Sequence, residues 1–228
     1  MEAHGECALG SRLVFAFRSR QAGEQTPPEE LALADWRRRT AEIYGEVRTA
    51  ADPDDGHARW RAGRDRLFRE HAQSPLAPAD PLRASGLPYW PYDPRWRVTS
   101  PVLSEPEPAR YEIQTAPGEL TRIRQIVWVE LPDPIGGRLA VWWLEQYGGG
   151  LFVPFRDATA GTSTYGAGRY LLDTAKGADL GLDGERLVLD FNFSYHPSCR
   201  YDPAWQCPLA PPQNVLGVAV EAGERLCE

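Results

Sequence analysis

Lysine is nearly absent from the sequence: Lys176 is the only lysine, so 24 of the 25 basic side chains are arginine. Acidic residues outnumber basic ones, and the formal net charge is −7. Affinity for a phosphate backbone comes mainly from clustered Lys and Arg side chains. The composition therefore argues against a nucleic-acid partner and leaves small-molecule ligands open.

Long apolar runs are missing as well. No run approaches the roughly 20 residues that span a bilayer, which argues against a membrane protein. The first 30 residues hold one short apolar window, LVFAF, with Arg on both sides, and this window is shorter than a signal h-region. We therefore predict a cytoplasmic protein. Nothing in residues 1–30 is periodic, and we predict a disordered extension there.

The sequence has only four cysteines: Cys7, Cys199, Cys207 and Cys227. Two of them lie near the ends of the sequence, which leaves Cys199 and Cys207 as the candidate thiol pair, and a reducing cytoplasm keeps such pairs as thiols. His196 and Asp202 lie nearby, but the eight-residue spacing does not match structural zinc sites, and no metal is predicted. A nucleophilic Cys199 would need His196 as its base. Ordinary buried thiols are the simpler interpretation.

Two amphipathic stretches open the periodic part of the sequence. Apolar and aromatic side chains at steps of three and four predict a helix over about 31–50. Asp52 and Pro53 end it, and a second helix follows that carries Trp60 and Phe68. We predict an αα-hairpin over residues 31–72, packed on the main domain. His57 and His71 are interpreted as surface residues of this hairpin.

Residues 73–228 are predicted to form a proline-rich wrapping segment followed by a β domain. Prolines are dense from Ser74 to Pro108, but aromatic residues among them indicate an ordered segment. Alternating apolar residues then predict a hairpin of strands at 120–131 and 137–147. The Gly148–Gly150 turn leads into a further strand, LFVPF.

More strands are expected at 164–172, 186–194 and 214–221. The predicted fold is therefore mainly β, an antiparallel meander that forms a barrel or sandwich and is preceded by an N-terminal αα-hairpin.

Polar residues alternate with apolar ones in RLVLDFNFSY, where Asp190 and Asn192 share a face opposite Leu189 and Phe191. One interpretation is a strand with one face in the core and the other in water. The alternative is that the polar face lines a cavity, where a carboxylate and an amide fix a ligand hydroxyl or amine.

The segment PFRDATAGTSTYGAGRY places hydroxyls between three glycines and an Arg near each end. An Arg fork and exposed amides can hold a phosphate or carboxylate. No helix follows, so the segment is neither a P-loop nor a dinucleotide fingerprint. A structural loop in which Arg156 and Asp157 satisfy backbone groups is an equally good interpretation.

We therefore predict a small-molecule pocket, for an anionic or polar ligand, built from residues 156–214. The candidate ligand-binding residues are Arg156, Asp157, Thr164, Tyr165, Arg169, Asp190, Asn192 and Tyr195. No motif dictates a reaction, so catalysis, cofactor and oligomeric state stay open. One alternative is a structural or partner-binding module without catalysis. A further alternative is a flavin-dependent oxidoreductase on a split barrel, in which Arg and Thr hold the flavin phosphate.

Several short runs occur in a fixed order: FRDATAG, TYGAGRY, LDFN, PSC, CPLAPPQN and EAGE. With RDRLFREHAQSPL and LPYWPYDP before them, they resemble the DUF1684 family of uncharacterised bacterial proteins over about residues 58–226. The resemblance implies no activity, cofactor or catalytic residue. It does imply that the first 30 residues lie outside the shared part.

Overall fold

The structure is a computed structural model that describes residues 28–104, 109–116 and 119–227. Two long helices come first, α1 (Glu29–Thr49) and α2 (Pro53–Glu70), and a short helix, α3 (Leu82–Ser85), follows. The predicted αα-hairpin is confirmed. Most of the predicted N-terminal extension, residues 1–27, lies outside the described residues, and Glu29 and Glu30 belong to α1.

Local chemistry explains where α2 begins. The Asp52 side chain accepts a hydrogen bond from the backbone N–H of Asp54 at 2.9 Å, and Pro53 occupies the first turn, where no amide donor is needed. The helices approach closely at Gly63, where a Cβ would lie 2.8 Å from the side chain of Ile43. A larger residue at position 63 would therefore push the hairpin apart.

Nine strands are present in the described residues. In chain order they are β1 (Arg97–Ser100), β2 (Val102–Ser104), β3 (Arg110–Ala116), β4 (Glu119–Glu130), β5 (Arg138–Leu144), β6 (Leu151–Phe155), β7 (Arg169–Asp173), β8 (Leu182–Asp183) and β9 (Arg186–Asp190). Strands β1 and β2 lie in the proline-rich segment, where the sequence predicted no strand.

The strands form two antiparallel sheets. The larger has the order β2-β4-β5-β6-β7, with β3 also paired to β4, and the smaller has the order β1-β9-β8. The predicted hairpin is the β4–β5 pair, in which Trp128 faces Ala140. The predicted meander continues through β6 and β7 and is confirmed. Among the described strands, β7 has no second partner strand in the larger sheet, so the sheet is not closed into a barrel and the arrangement is sandwich-like.

Both sheets and both long helices contribute to one hydrophobic core, with Trp60 from α2, Leu139 and Val153 from the larger sheet, and Leu189 from the smaller. A second cluster, which contains Trp142, covers the other face of the larger sheet. Strand β5 is therefore buried on both faces, as its continuous apolar sequence predicts.

Three predicted strands do not form as expected, and the first of them, predicted at 164–172, begins only at Arg169. The prediction at 214–221 is wrong, because the chain there makes a 3-10 turn at Pro212–Asn214 and then single backbone bonds to the loop after β6, such as Leu216 N–H to the Arg156 carbonyl at 2.8 Å. The Asn214 side chain hydrogen-bonds both the backbone N–H and the backbone carbonyl of Ala140 in β5. The strand predicted at 186–194 ends at Asp190, where a 3-10 turn begins.

Histidine placement also departs from expectation. His57 was interpreted as a surface residue, but it is 2% exposed and stacks on Trp60, with ring centroids 5.6 Å apart. His71 is half-buried and bonds the Asp35 carboxylate at 3.1 Å. In the described part of the chain, no helix has the length and apolar character needed to cross a membrane.

Candidate functional site

Arg169, at the start of β7, is buried in the protein interior. Its guanidinium donates hydrogen bonds to three carbonyl oxygens of the C-terminal segment: Val220, Ala222 and Glu224. The Asp157 carboxylate lies 3.5 Å from the same guanidinium. Burial lowers the pKa of Arg169 to about 10, against the opposing effect of Asp157. The segment 220–224 is thus held by an internal cation.

Asp157 is satisfied by its own neighbours. It accepts hydrogen bonds from the Val220 N–H at 2.7 Å and from the Thr159 hydroxyl at 2.9 Å. That hydroxyl in turn contacts the Thr164 hydroxyl at 2.9 Å. Arg156, by contrast, is exposed. The two arginines of the glycine-rich segment therefore have opposite environments.

Asp190 and Asn192 form a second buried network. One Asp190 oxygen accepts from the backbone and side-chain amides of Asn192 at 3.0 and 2.8 Å, and the other lies 3.3 Å from Arg97 and 3.5 Å from the Tyr92 hydroxyl. Asn192 bonds both backbone groups of Asp93. The water-facing interpretation of this strand face is therefore wrong, because the segment around residues 92–97 covers it.

The described hydrogen bonds and ion pairs do not join the Arg169 network to the Asp190 network. Burial raises the pKa of Asp190, although Asn192 and Arg97 oppose the change. Both networks face backbone groups and packed side chains. Their role in ligand binding stays a prediction.

A cleft lies elsewhere, between the helical hairpin and the β domain. Both long helices, strand β7, the loop after β7 and the segment after Phe193 line it. The helices contribute Trp36, Thr40, Ile43 and Tyr44 from α1 and Trp60, Arg64, Leu67 and Phe68 from α2. The β domain contributes Tyr170, Lys176, Ala178, Tyr195, His196, Pro197 and Ser198. Each helix contributes four residues at the same spacing, because positions i, i+4, i+7 and i+8 share one helical face. Tyr195 is the one predicted ligand residue that lines this cleft.

Arg64 and Lys176 are the cationic side chains that line the cleft. The Arg64 guanidinium lies over the rings of Phe68 and Tyr195, 4.7 and 4.8 Å from their centroids. Its Nη2 donates to the Glu224 carboxylate at 2.8 Å and its Nε to the Tyr89 hydroxyl at 3.1 Å. Nη1 makes none of these bonds, so its N–H groups remain for another acceptor.

His196 is held so that neither ring nitrogen is available as a base. Its Nε2 accepts the backbone N–H of Tyr165 at 3.1 Å, and its Nδ1 lies 3.5 Å from a Glu224 oxygen. Burial lowers the pKa of His196, although Glu224 opposes the change. The arrangement favours a neutral imidazole with a positioning role.

Two buried polar groups in the cleft wall, the Tyr44 hydroxyl and the Trp60 indole N–H, lie next to each other and have no further hydrogen-bond partner among the described residues. Burial raises the pKa of Tyr44 above its ordinary value, although Arg64 and the adjacent Trp60 oppose the change. An unsatisfied buried polar group costs about 1–3 kcal/mol. Groups of this kind mark a place where a water or a ligand can bind.

The thiol pair lies beside this cleft. Cys199 belongs to the 3-10 turn Ser198–Arg200, and the neighbouring Cys207, together with burial, raises the pKa of its thiol. Both residues are half-buried, and no disulfide joins them. Burial and the nearby Cys199 raise the pKa of Tyr165, another of the predicted ligand residues. Within the described part of the chain, no group of three or more His, Cys, Asp or Glu side chains could hold a metal ion.

Sequence reasoning missed Arg64, Glu224, Tyr44 and Trp60 as site residues. A signal for Arg64 was present, because this arginine stands on the apolar stripe of α2 between Trp60 and Leu67. No sequence pattern pointed to Glu224, because its partners come from distant parts of the chain.

The two antiparallel sheets and the N-terminal helical hairpin give this protein a mainly β fold of sandwich-like architecture. The sequence matches the family described as a protein of unknown function, DUF1684, over residues 84–225, and the chain belongs to this family. The resemblance predicted from the sequence is confirmed, with α1 and α2 outside the matched residues.

Among solved structures, the chain is similar to an uncharacterised protein of Haloarcula marismortui determined by solution NMR. The sequence identity is 35% and the TM-score is 0.52, over 73% of this chain and 90% of that protein. No curated protein matches the chain.

Proposed function

We propose that this DUF1684 protein binds a small molecule in the cleft between the helical hairpin and the β domain. The observation that supports this is the position of Arg64. Its guanidinium is fixed by Glu224 and Tyr89 and lies over the Tyr195 ring, while Nη1 makes no hydrogen bond to a described residue. A fixed guanidinium suits a carboxylate, because its fork of N–H groups matches the two oxygens.

The size of the cleft narrows the ligand class. Its volume is about 60 Å³, well below the roughly 300–1,000 Å³ of sites for drug-sized ligands. The wall is mostly aromatic and aliphatic. We therefore infer a short carboxylic acid, with its carboxylate toward Arg64 and its apolar end among the rings.

The residues predicted from the sequence contribute to this proposal in two ways. Tyr195 contacts the ligand directly, while Asp157, Arg169, Asp190 and Asn192 hold the surrounding segments in place. No group in the cleft is placed as a nucleophile or an available base, and the proposal is binding without an assigned reaction. We infer the cytoplasm as its location, because Cys199 and Cys207 are free thiols and a reducing compartment keeps thiols in that state.

The test combines native mass spectrometry of freshly purified protein with thermal unfolding in acetate, propionate, butyrate and benzoate. We expect the short acids to raise Tm, since ligand at 100-fold excess over Kd stabilises by about 2.7 kcal/mol. Thr40→Met should fill the cleft and abolish this shift. Thr49→Met, on the exposed end of the same helix, is the matched control and should keep it.

A second variant, Arg64→Gln, should lower affinity if it still folds. The proposal fails if no carboxylate raises Tm and native mass spectrometry shows no bound small molecule. It also fails if Thr40→Met responds to the acids as the unmodified protein does. Failure on both counts would favour a structural or partner-binding module.

A further inference from the structure

An open groove, larger than the cleft, lies where β5 and β7 end. Its volume is about 710 Å³, and small-molecule sites occupy roughly 300–1,000 Å³. The turn between β5 and β6, the 3-10 turn Thr174–Lys176 and the loop that carries Gln206 line it. Lys176 lines both the groove and the cleft, which otherwise share no lining residue.

The two turns that form the groove are fixed to each other. The Thr174 hydroxyl accepts the backbone N–H of Leu151 at 2.7 Å. Gly150 lies so close to Ala175 that a Cβ at position 150 would be 2.7 Å from the Ala175 backbone nitrogen. This wall of the groove is therefore formed before any ligand arrives, which lowers the cost of binding.

Asp173, at the end of β7, is the buried charged residue of this wall, with an exposure of 2%. Its Oδ2 lies 3.5 Å from the Lys176 ammonium. Its Oδ1 has no hydrogen-bond partner among the described residues. A buried carboxylate oxygen without a partner is an acceptor that a ligand hydroxyl or ammonium group can satisfy.

The groove also carries two amides and one exposed ring. Gln146 donates from Nε2 to the Thr121 hydroxyl at 3.2 Å, which orients its amide, and Gln206 adds a second, exposed amide. Tyr147 is fully exposed and lines the groove. Amides both donate to and accept from ligand hydroxyls, and a tyrosine ring offers an apolar face beside its polar tip.

The charges of the groove argue against a singly charged ligand. A cationic ligand would meet Arg37 and Lys176, and an anionic ligand would meet the unpartnered oxygen of Asp173. An uncharged ligand with several hydroxyls avoids both conflicts, because each hydroxyl can donate to the carboxylate and accept from an amide or an ammonium.

We propose that this groove binds a saccharide, with one sugar hydroxyl donating to Oδ1 of Asp173 and the C–H face of a sugar ring on Tyr147. The site is separate from the carboxylate-binding function proposed for the cleft, and either can exist without the other.

The experiment is saturation-transfer difference NMR titration of the full chain with glucose, galactose, maltose and lactose. We expect at least one of these sugars to bind. Tyr147→Ala should weaken its binding by about tenfold, because the aromatic contact is lost. The Tyr147 side chain is fully exposed, so this variant should keep its fold. Leu182→Ala, at an exposed position of the smaller sheet, is the matched control and should bind the sugar normally.

Asp173→Asn keeps the shape of the side chain and removes its charge. It should also weaken sugar binding by about tenfold, since a hydrogen bond to a charged acceptor is stronger than one to a neutral acceptor. If this variant does not fold, Gln206→Ala, at an exposed position, takes its place and should weaken binding as well. Circular dichroism checks the fold of each variant.

Three outcomes would overturn the proposal. The first is that none of the four sugars binds, including the case in which only glycine or alanine gives a signal. The second is that Tyr147→Ala binds the sugar as tightly as the unmodified protein. The third is that Thr40→Met, which fills the cleft, abolishes sugar binding while keeping its fold, because the sugar would then occupy the cleft.

Discussion

The guanidinium of Arg64 lies 2.8 Å from the carboxylate of Glu224, across 160 positions of sequence. The Arg64 side chain is 12% exposed and that of Glu224 is 1% exposed. Burial raises the pKa of Glu224, but Arg64 and His196 outweigh burial and hold it below its ordinary value. The pair therefore joins the helical hairpin to the C-terminal segment as an ionised bridge.

Loss of Arg64 should destabilise the protein strongly. Arg64→Gln leaves the Glu224 carboxylate buried without its cation, which costs about 3–5 kcal/mol. Urea unfolding followed by circular dichroism measures this loss. Arg66→Gln, on the exposed side of the same helix, should change the free energy of unfolding by less than about 0.5 kcal/mol. Equal stabilities of the two variants would show that the bridge contributes nothing.

Loss of Arg169 should also destabilise the protein far more than loss of Arg156, the other arginine of the glycine-rich segment. Arg169→Ala removes the donors of the Val220 and Ala222 carbonyls and leaves Asp157 buried, so we expect a loss of about 3–5 kcal/mol. Arg156→Ala, at an exposed position, should be nearly neutral. Chemical denaturation of both proteins provides the comparison. A stable Arg169→Ala protein would instead support the ligand-binding role predicted for this residue.

Stability should fall below neutral pH because of His57. Burial lowers its pKa from 6.5 to about 4. The unfolded chain therefore takes up this proton first, and the contribution of His57 is present above pH 6.5 and lost as the pH falls toward 4. Between pH 7 and pH 5 the loss is about 2 kcal/mol. Urea unfolding across this range should show a shallower pH slope for His57→Phe, and an identical slope would contradict this assignment.

Gly223 should be far less replaceable than Gly184, although both have a positive φ, of 75° and 59°. A Cβ at Gly223 would overlap the Ser194 hydroxyl and lie 2.7 Å from the Phe191 carbonyl oxygen, whereas nothing lies within 4 Å at Gly184. Gly184→Ala should cost about 1–2 kcal/mol from backbone strain alone. Gly223→Ala should cost clearly more, and similar Tm values for the two variants would refute the expected clash.

Periodic, local patterns predicted most of the fold. Apolar residues recur about every 3.6 positions in α1 and α2 and every two positions in the meander from β4 to β7. Each period is set by the local backbone geometry of a helix or a strand, so it can be read from neighbouring residues. The segment at 214–221 has apolar alternation too, yet its backbone bonds the loop after β6 instead of a strand. Alternation shows which residues are buried, but it does not show where their backbone partners lie.

The candidate site depended on contacts that no local pattern records. Asp190 is paired with Arg97, 93 positions earlier in the chain, and Arg64 with Glu224. Alternation at Asp190 and Asn192 suggested a polar face, because the covering segment around residues 92–97 has no periodic signature of its own. The arginine on the apolar stripe of α2 was the one local sign of the cleft.

The hydrogen bonds from Arg169 to the carbonyls of Val220, Ala222 and Glu224 affect the order in which the protein folds during synthesis. Domains are built as the chain leaves the ribosome, N-terminal part first. Here the helices and the meander are synthesised well before Glu224, which neutralises Arg64, and before the carbonyl groups that accept the hydrogen bonds of Arg169. These two cations must stay hydrated until position 224 has emerged, so the interior can close only late in synthesis.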